Sequence, residues 1–432
     1  MSGQRGRLRW TEAGLLIPAL AIGLLGLVIT NLSARSALAL DAITPALVAI
    51  GALALAHLWL AWRCRSSDQT LLPLAATLVG LGLAVVWRIQ PAALPRQVMW
   101  LVIGLLAMGI VVAFPRGADW LKRYKYTWAL LGLALVATTL VFGVDPNQSG
   151  ARLWLGFAGQ HFQPSEILKV LLVVFLAAYL DDRRELLSSG VYRMGPLRLP
   201  SLPHLGPLAL MWGLCVLLLV VQRDLGATFL FFGVFLAMLY VASSRLLYVV
   251  GGLGMFLIAA CFAAKLVSHV QTRVAVWLDP WADPQNTAFQ VVQSLLSFAS
   301  GGVFGVGWGY GYPDYIPAAH TDFPLAVIGE QAGLAGTLAV VALYMFFTLR
   351  GFKTAVEATD GFRQLLAVGL TSVIAIQSLT IMGGNLRIIP LTGITLPFVS
   401  YGGSSLLANF IILGLLLRIS HESRQAMEER HG

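Results

Sequence analysis

The stretch Gly14-Leu15-Leu16-Ile17-Pro18-Ala19-Leu20-Ala21-Ile22-Gly23-Leu24-Leu25-Gly26-Leu27-Val28-Ile29-Thr30-Asn31-Leu32-Ser33 carries no charged side chain. A helix crosses the hydrocarbon core of a bilayer in about 20 apolar residues, so this run is long enough to span one. The arginines ahead of it and Ala37-Leu38-Ala39 behind it have the outline of a secretory signal. The run exceeds the roughly 7–15 apolar residues of such signals, which reads as an uncleaved helix. Comparable runs follow at 42–62, 70–86, 97–114, 126–143, 164–180, 206–221, 225–243, 246–267, 322–350, 362–383 and 395–418. The expected fold is an all-α integral membrane protein of about twelve transmembrane helices.

Composition agrees. Of 432 residues 58% are hydrophobic and only 11% charged, and the mean hydropathy is +0.79. A soluble domain carries roughly 25% charged residues, so this chain cannot coat a water-soluble globule. Disordered, fibrous and disulfide-framework proteins are excluded on the same figures. Cys64, Cys215 and Cys261 share no metal-ligand spacing and read as small packed side chains.

The net charge of +9 would raise nucleic acid as a partner in a soluble protein. Here most basic residues sit in short clusters between apolar runs, and alternate clusters are the richer ones. With the N-terminus inside, inner segments hold Arg5, Arg7 and Arg9, then Arg63 and Arg65, then Arg116, Lys122, Arg123 and Lys125. Outer segments are sparser, with Arg35, Arg88, Arg96 and Arg152 among them. By the positive-inside rule both termini are expected in the cytoplasm, and no nucleic acid is implied. Two outer segments, 144–163 and 268–321, are long enough to carry function, and the second reads as an ordered loop on the membrane surface.

Ionisable groups inside spans are costly and tend to be functional. In Gln163-Pro164-Ser165-Glu166-Ile167-Leu168-Lys169, Glu166 and Lys169 are three apart on one helix face and can pair. The pair either fixes helix packing or aims a cation at an anionic ligand. Arg152 and Trp154, in Gly150-Ala151-Arg152-Leu153-Trp154, add a second cation and an aromatic platform. Arg152 with Lys169 suits a phosphate or diphosphate. In the long loop, Trp277-Leu278-Asp279-Pro280-Trp281-Ala282-Asp283-Pro284 places two carboxylates among apolar rings. Asp-Pro initiates turns. Alternatively one aspartate is a general base with its pKa raised by those surroundings, or holds a divalent cation.

The glycines from Gly301 to Gly311 lack the strand–turn–helix context of a phosphate loop and face outside, which excludes nucleotide binding. His320 is a further candidate, while Thr321 and Asp322 read as a helix cap. Ser400 and Tyr401, in Leu396-Pro397-Phe398-Val399-Ser400-Tyr401-Gly402-Gly403-Ser404-Ser405, stand beside a broken helix that packs closely or lines a polar cavity.

These segments, in this order, resemble the SEDS family (shape, elongation, division and sporulation proteins, the RodA/FtsW type). Asp224-Leu225-Gly226, Asp283-Pro284 with Gln290 and Ser294, and His320-Thr321-Asp322-Phe323 carry the resemblance with the motifs above. It covers about 70–418 as a ten-helix core, leaving 1–69 as a two-helix extension and 419–432 as a cytoplasmic tail. The resemblance implies a peptidoglycan glycosyltransferase of the bacterial cytoplasmic membrane. Such an enzyme polymerises lipid II at the outer face, releases undecaprenyl diphosphate and works with a class B penicillin-binding protein among the membrane lipids. It implies Asp283 as the catalytic residue, with Arg152, Trp154, Glu166, Lys169, Gln290, His320, Ser400 and Tyr401 binding substrate. No organic cofactor is implied, and Mg²⁺ or Mn²⁺ stays open. Departures from the family pattern are Arg223 for Pro, Phe289 for Tyr, Gln331 for Glu, Ile381 for Asn and Arg387 for Gly. The rival readings are a lipid II flippase or transporter, and a scaffold that activates a partner transpeptidase.

Overall fold

The computed structural model describes residues 9–35, 40–114, 117–145, 152–157, 160–185, 192–194, 197–199, 213, 222 and 224–431. The chain is nearly all helical, and ten of its described helices are long and apolar enough to cross a membrane. Another, Pro164–Asp182, has the length but carries Glu166, Lys169, Asp181 and Asp182, charges that mark it out from its neighbours. The expected span at 206–221 lies outside the described residues apart from Gly213, as do Cys215 and Arg223. The helices fall into two compact units, each described by itself.

The first unit comprises 1–113, 262–350 and 377–421. It holds α1 (Trp10–Arg35), α2 (Leu40–Arg63), α3 (Leu71–Ile89) and α4 (Leu94–Ala113). α1 packs along α3 and α2 along α4. Buried polar groups join them at one end. The Arg9 guanidinium, 1% exposed, pairs with Glu12 and donates to the Cys64 carbonyl at 2.6 Å and the Asp68 carbonyl at 3.0 Å. Glu12 also meets His57 Nδ1 at 2.7 Å, and Arg350 pairs with Asp68. A charge buried this deeply is tolerable only because each is paired and hydrogen-bonded.

The expected loop at 268–321 is largely helical, with α5 (Ser268–Leu278), a 3₁₀ turn at Pro280–Ala282 and α6 (Phe289–Gly301). Beyond it the helix Pro324–Val356, α7, is broken at Gly333, whose φ of 66° and ψ of −162° leave helical groups unpaired. The loop supplies the missing partners: Leu334 and Ala335 N–H donate to the Gly302 and Val303 carbonyls, and Val306 and Gly307 N–H donate back to Glu330 and Gln331. A Cβ at Gly333 would sit 2.4 Å from Gly305 N, so only glycine fits. Gly305, Gly307, Gly309 and Gly311 all adopt positive φ, which explains that run as backbone geometry. Trp308 then docks on α1, its Nε1 donating to the Gly26 carbonyl at 3.0 Å.

The final helix starts later than the apolar run at 395–418 announced. It runs from Gly403 to His431, preceded by irregular chain at 391–396 and a turn at 397–399. Phe398 has φ of 65°, and the Ser400 hydroxyl takes the Leu396 N–H at 2.8 Å, so the chain here cannot be helical.

The second unit comprises 114–261, 351–376 and 422–432. Here two small sheets accompany the helices of the expected all-α fold. Strands β1 (Gly143–Val144), β2 (Trp154–Phe157) and β3 (Gln160–Phe162) form an antiparallel sheet in that order, and β4 (Tyr192–Met194) pairs with β5 (Leu197–Leu199). The helix Pro164–Asp182 follows β3 and packs on the helix Lys125–Phe142. At its far end Asp181 bonds Lys122 at 2.6 Å. The helix Leu225–Ser243 is capped by Asp224, which accepts the Ala227 N–H at 3.0 Å.

Candidate functional site

In the first unit the site is built from α5, α6 and the turn between them. Asp279 caps the 3₁₀ turn by accepting the Trp281 N–H at 3.1 Å, the turn-forming role its Asp-Pro pair suggested. Asp283 is different. Its carboxylate, partly exposed, accepts Asn286 Nδ2 at 2.9 Å, Thr287 N at 3.1 Å and Thr287 Oγ1 at 2.9 Å. The Asn286 bond foremost, then those from Thr287, hold the carboxyl below its ordinary value. This corrects the expectation of a raised pKa: hydrogen bonds to the charged form outweigh the flanking aromatic rings, which do not enclose it.

Thr287 also lines a cavity of about 170 Å³, with Gln290, Arg273, Trp277, Asp322 and Arg387 among its walls. Arg273 and Trp277 lie one helical turn apart on α5 and so share a face. The arginines clamp α5 against the chain that follows Gly361–Asn385. Arg273 Nη1 donates to the Leu391 and Thr392 carbonyls at 3.2 and 2.8 Å. Arg387 donates to the carbonyls of Trp277 at 2.7 Å and Leu278 at 2.6 Å, the last turn of α5, and Trp277 Nε1 returns a bond to the Arg387 carbonyl. Arg387 has φ of 57°, a left-handed conformation that glycine would adopt without strain.

The helix-cap reading of Thr321 and Asp322 is corrected. The helix begins at Pro324, and the Thr321 hydroxyl donates to the Ala318 carbonyl. Burial pushes the Asp322 carboxyl up, opposed by Thr321 and by Arg273. His320 and Tyr401 are brought together, with ring centroids 5.4 Å apart and Tyr401 N–H donating to the His320 carbonyl at 2.8 Å. His320 Nδ1 is buried without a partner, and burial holds the ring below its usual pKa. Ser400 is buried, and its hydroxyl donates to the Thr321 carbonyl at 2.5 Å. Among the site residues, Thr287 drew no attention in the sequence, Asp322 was expected only as a cap and Arg387 only as a departure from the family pattern. The shared helical face of Arg273 and Trp277 was the one signal that could have pointed there.

In the second unit Lys169 is 2% exposed and pairs with Glu166, 11% exposed, one turn into its helix. Pro164 opens that helix, and Gln163 Nε2 reaches Asp224 at 3.4 Å. Trp154 lies on β2 opposite Val144, half-buried, while Arg152 is exposed just before that strand. Arg152 and Lys169 thus stand on separate elements, the first open and the second buried and paired.

Among the described residues no group of three or more His, Cys, Asp and Glu side chains is placed to hold a metal ion. The residues present fit only the manner in which Mg²⁺ is often held, by one carboxylate, here Asp283, together with substrate phosphates.

Residues 71–425 match the family model FTSW_RODA_SPOVE, described as cell cycle protein. The peptidoglycan glycosyltransferase RodA of Mycobacterium tuberculosis is 42% identical over 387 residues, covering 87% of this chain and 82% of that relative. The probable peptidoglycan glycosyltransferase FtsW of Geobacter metallireducens is 34% identical over 334 residues, covering 76% and 84%. A chain of a peptidoglycan synthase complex, solved for its coordination of polymerization and crosslinking, superposes with a TM-score of 0.69 at 27% identity, over 83% of this chain and 99% of that one. The Thermus thermophilus rod shape determining protein RodA gives a TM-score of 0.60 at 27% identity, over 83% and 97%.

Proposed function

The chain belongs to the FtsW/RodA/SpoVE family of cell cycle proteins, and from that membership we propose that it is a peptidoglycan glycosyltransferase. It polymerises lipid II at the outer face of the bacterial cytoplasmic membrane and releases undecaprenyl diphosphate. The higher identity to mycobacterial RodA than to Geobacter FtsW supports a role in elongation. Likeness to a complex that couples polymerization with crosslinking supports a class B penicillin-binding protein as partner.

One observation carries the assignment of chemistry: a partly exposed carboxylate, Asp283, is oriented by Asn286 and by Thr287, which also lines the adjoining cavity. Asp283 takes the proton of the acceptor's GlcNAc 4-hydroxyl. That oxygen attacks the anomeric carbon of the donor, the bond to the diphosphate breaks, and α inverts to β. A general base contributes about 10²–10⁴-fold, and its depressed pKa keeps it ionised at neutral pH. A diphosphate leaves without protonation, so no second carboxylic acid is required, unlike a two-carboxylate glycosidase. Arg152 and Lys169 are assigned to the charge that develops on the leaving diphosphate, with Glu166 orienting Lys169. Trp154, Gln290, His320, Ser400 and Tyr401 complete the substrate-binding set. Mg²⁺ or Mn²⁺, when bound, would neutralise phosphate charge next to Asp283.

Lipid II polymerisation by the purified protein tests this. Asp283→Asn should yield no polymer while Asp279→Asn remains active; polymer from Asp283→Asn would overturn the assignment.

A further inference from the structure

The cavity beside Asp283 contains an acid that no step above uses. Asp322 has its backbone committed, the N–H to the Ala318 carbonyl at 2.9 Å and the carbonyl to Asn385 Nδ2 at 2.8 Å. Asp322 lines the cavity with Gln290. The two arginines of that wall already donate to the carbonyls of Leu391, Thr392, Trp277 and Leu278. They build the wall, and a carboxylate within it would repel a diphosphate. An acid, an amide, two threonine hydroxyls and an indole together suit a neutral ring of hydroxyls with an apolar face, which is the chemistry of a sugar.

We infer that this cavity is the acceptor-sugar subsite, in which Asp322 and Gln290 bind the pyranose hydroxyls that flank the reacting one. The inference rests on Asp283 being the base, because the sugar beside the base is the one that loses a proton. Thr287 makes the two neighbours: its N–H and hydroxyl hold the Asp283 carboxylate, and it lines the cavity. A sugar seated against Asp322 and Gln290 therefore presents its next hydroxyl toward Asp283. Asp322 and Gln290 act on acceptor affinity and leave the donor untouched.

The test separates donor from acceptor. Labelled lipid II blocked by galactose on its GlcNAc 4-hydroxyl can serve only as donor, and unlabelled lipid II is titrated as acceptor. Hydrogen bonds to a charged group contribute about 1.5–3 kcal/mol, so Asp322→Asn should raise the acceptor KM roughly tenfold or more. The kcat and the affinity for the blocked donor should stay within about twofold, well inside 1.4 kcal/mol per tenfold. Gln290→Ala should raise the same KM by a smaller factor. Retained donor binding doubles as the control for folding, and if Asp322→Asn loses it, Gln290→Ala decides. An unchanged acceptor KM in both variants overturns the inference, and so does a change confined to donor affinity, which would make the cavity a diphosphate site. Activity in Asp283→Asn would instead overturn the reading on which the inference rests.

Discussion

Arg387 offers a perturbation whose sign and size follow from geometry. Its guanidinium donates two short bonds to the carbonyls that end α5, while its backbone occupies the left-handed region at φ 57°. Arg387→Ala removes both bonds and keeps the unfavourable backbone. Charge-assisted bonds contribute about 1.5–3 kcal/mol each, and this side chain is half-exposed, so the low end applies and roughly 3 kcal/mol is lost. Arg387→Gly loses the same bonds but relieves roughly 1 kcal/mol of left-handed cost, for a net loss of about 2 kcal/mol. The assay is hydrogen exchange of the α5 amides, residues 268–278, in lipid nanodiscs. At 1.4 kcal/mol per tenfold, exchange should quicken roughly 30-fold in the glycine variant and about 100-fold in the alanine variant. Exchange unchanged in both variants, or faster in glycine than in alanine, would refute the clamp.

Other outcomes follow from the same contacts. Glu330 is buried and accepts from the Tyr312 N–H at 2.8 Å and the Ser297 hydroxyl at 3.1 Å. Glu330→Gln turns an amide donor toward one of them and should cost about 1–3 kcal/mol, read as faster thermal inactivation in detergent. A depressed Asp283 pKa keeps the base charged down through the usual carboxylate range, so protonation of Asp283 should produce no loss of rate between about pH 5 and 8. Asn286→Ala removes the largest cause of the depression, so its acid limb should move to higher pH; movement to lower pH would contradict the assigned cause. A cation shared between substrate phosphates and Asp283 predicts that EDTA stops polymerisation and that Mg²⁺ or Mn²⁺ restores it, whereas full activity in EDTA would leave Asp283 as the direct base.

The spanning helices were legible because length and apolarity are local properties: α1 to α4 fall within a few residues of the runs that announced them. The Glu166–Lys169 pair was legible too, since helical spacing alone places them on one face. What escaped depends on partners distant in sequence. Gly333 breaks its helix because residues 302–307 supply the lost hydrogen bonds, and nothing near Gly333 says so. The turn at 396–400 is held by the Ser400 hydroxyl and the Thr321 carbonyl, so the helix that the apolar run announced starts only at Gly403. Asp283 misled in the opposite way. Its aromatic neighbours suggested burial, while the two residues that set its pKa, Asn286 and Thr287, lie just downstream and bond it only once the turn has formed. Asp322 looked like a cap until the helix proved to start at Pro324. Arg387 looked like a mere departure from the family pattern until its φ and its carbonyl partners were seen together.

The central claim is that Asp283 performs the chemistry. The most direct measurement is single-turnover transfer from labelled, 4-blocked lipid II to unlabelled lipid II by the purified full-length protein with its cognate transpeptidase, comparing wild type with Asp283→Asn at matched donor binding. With Asp283 as the base, wild type transfers and the variant loses about 10²-fold or more, with donor affinity unchanged. Transfer at the wild-type rate by Asp283→Asn would contradict it.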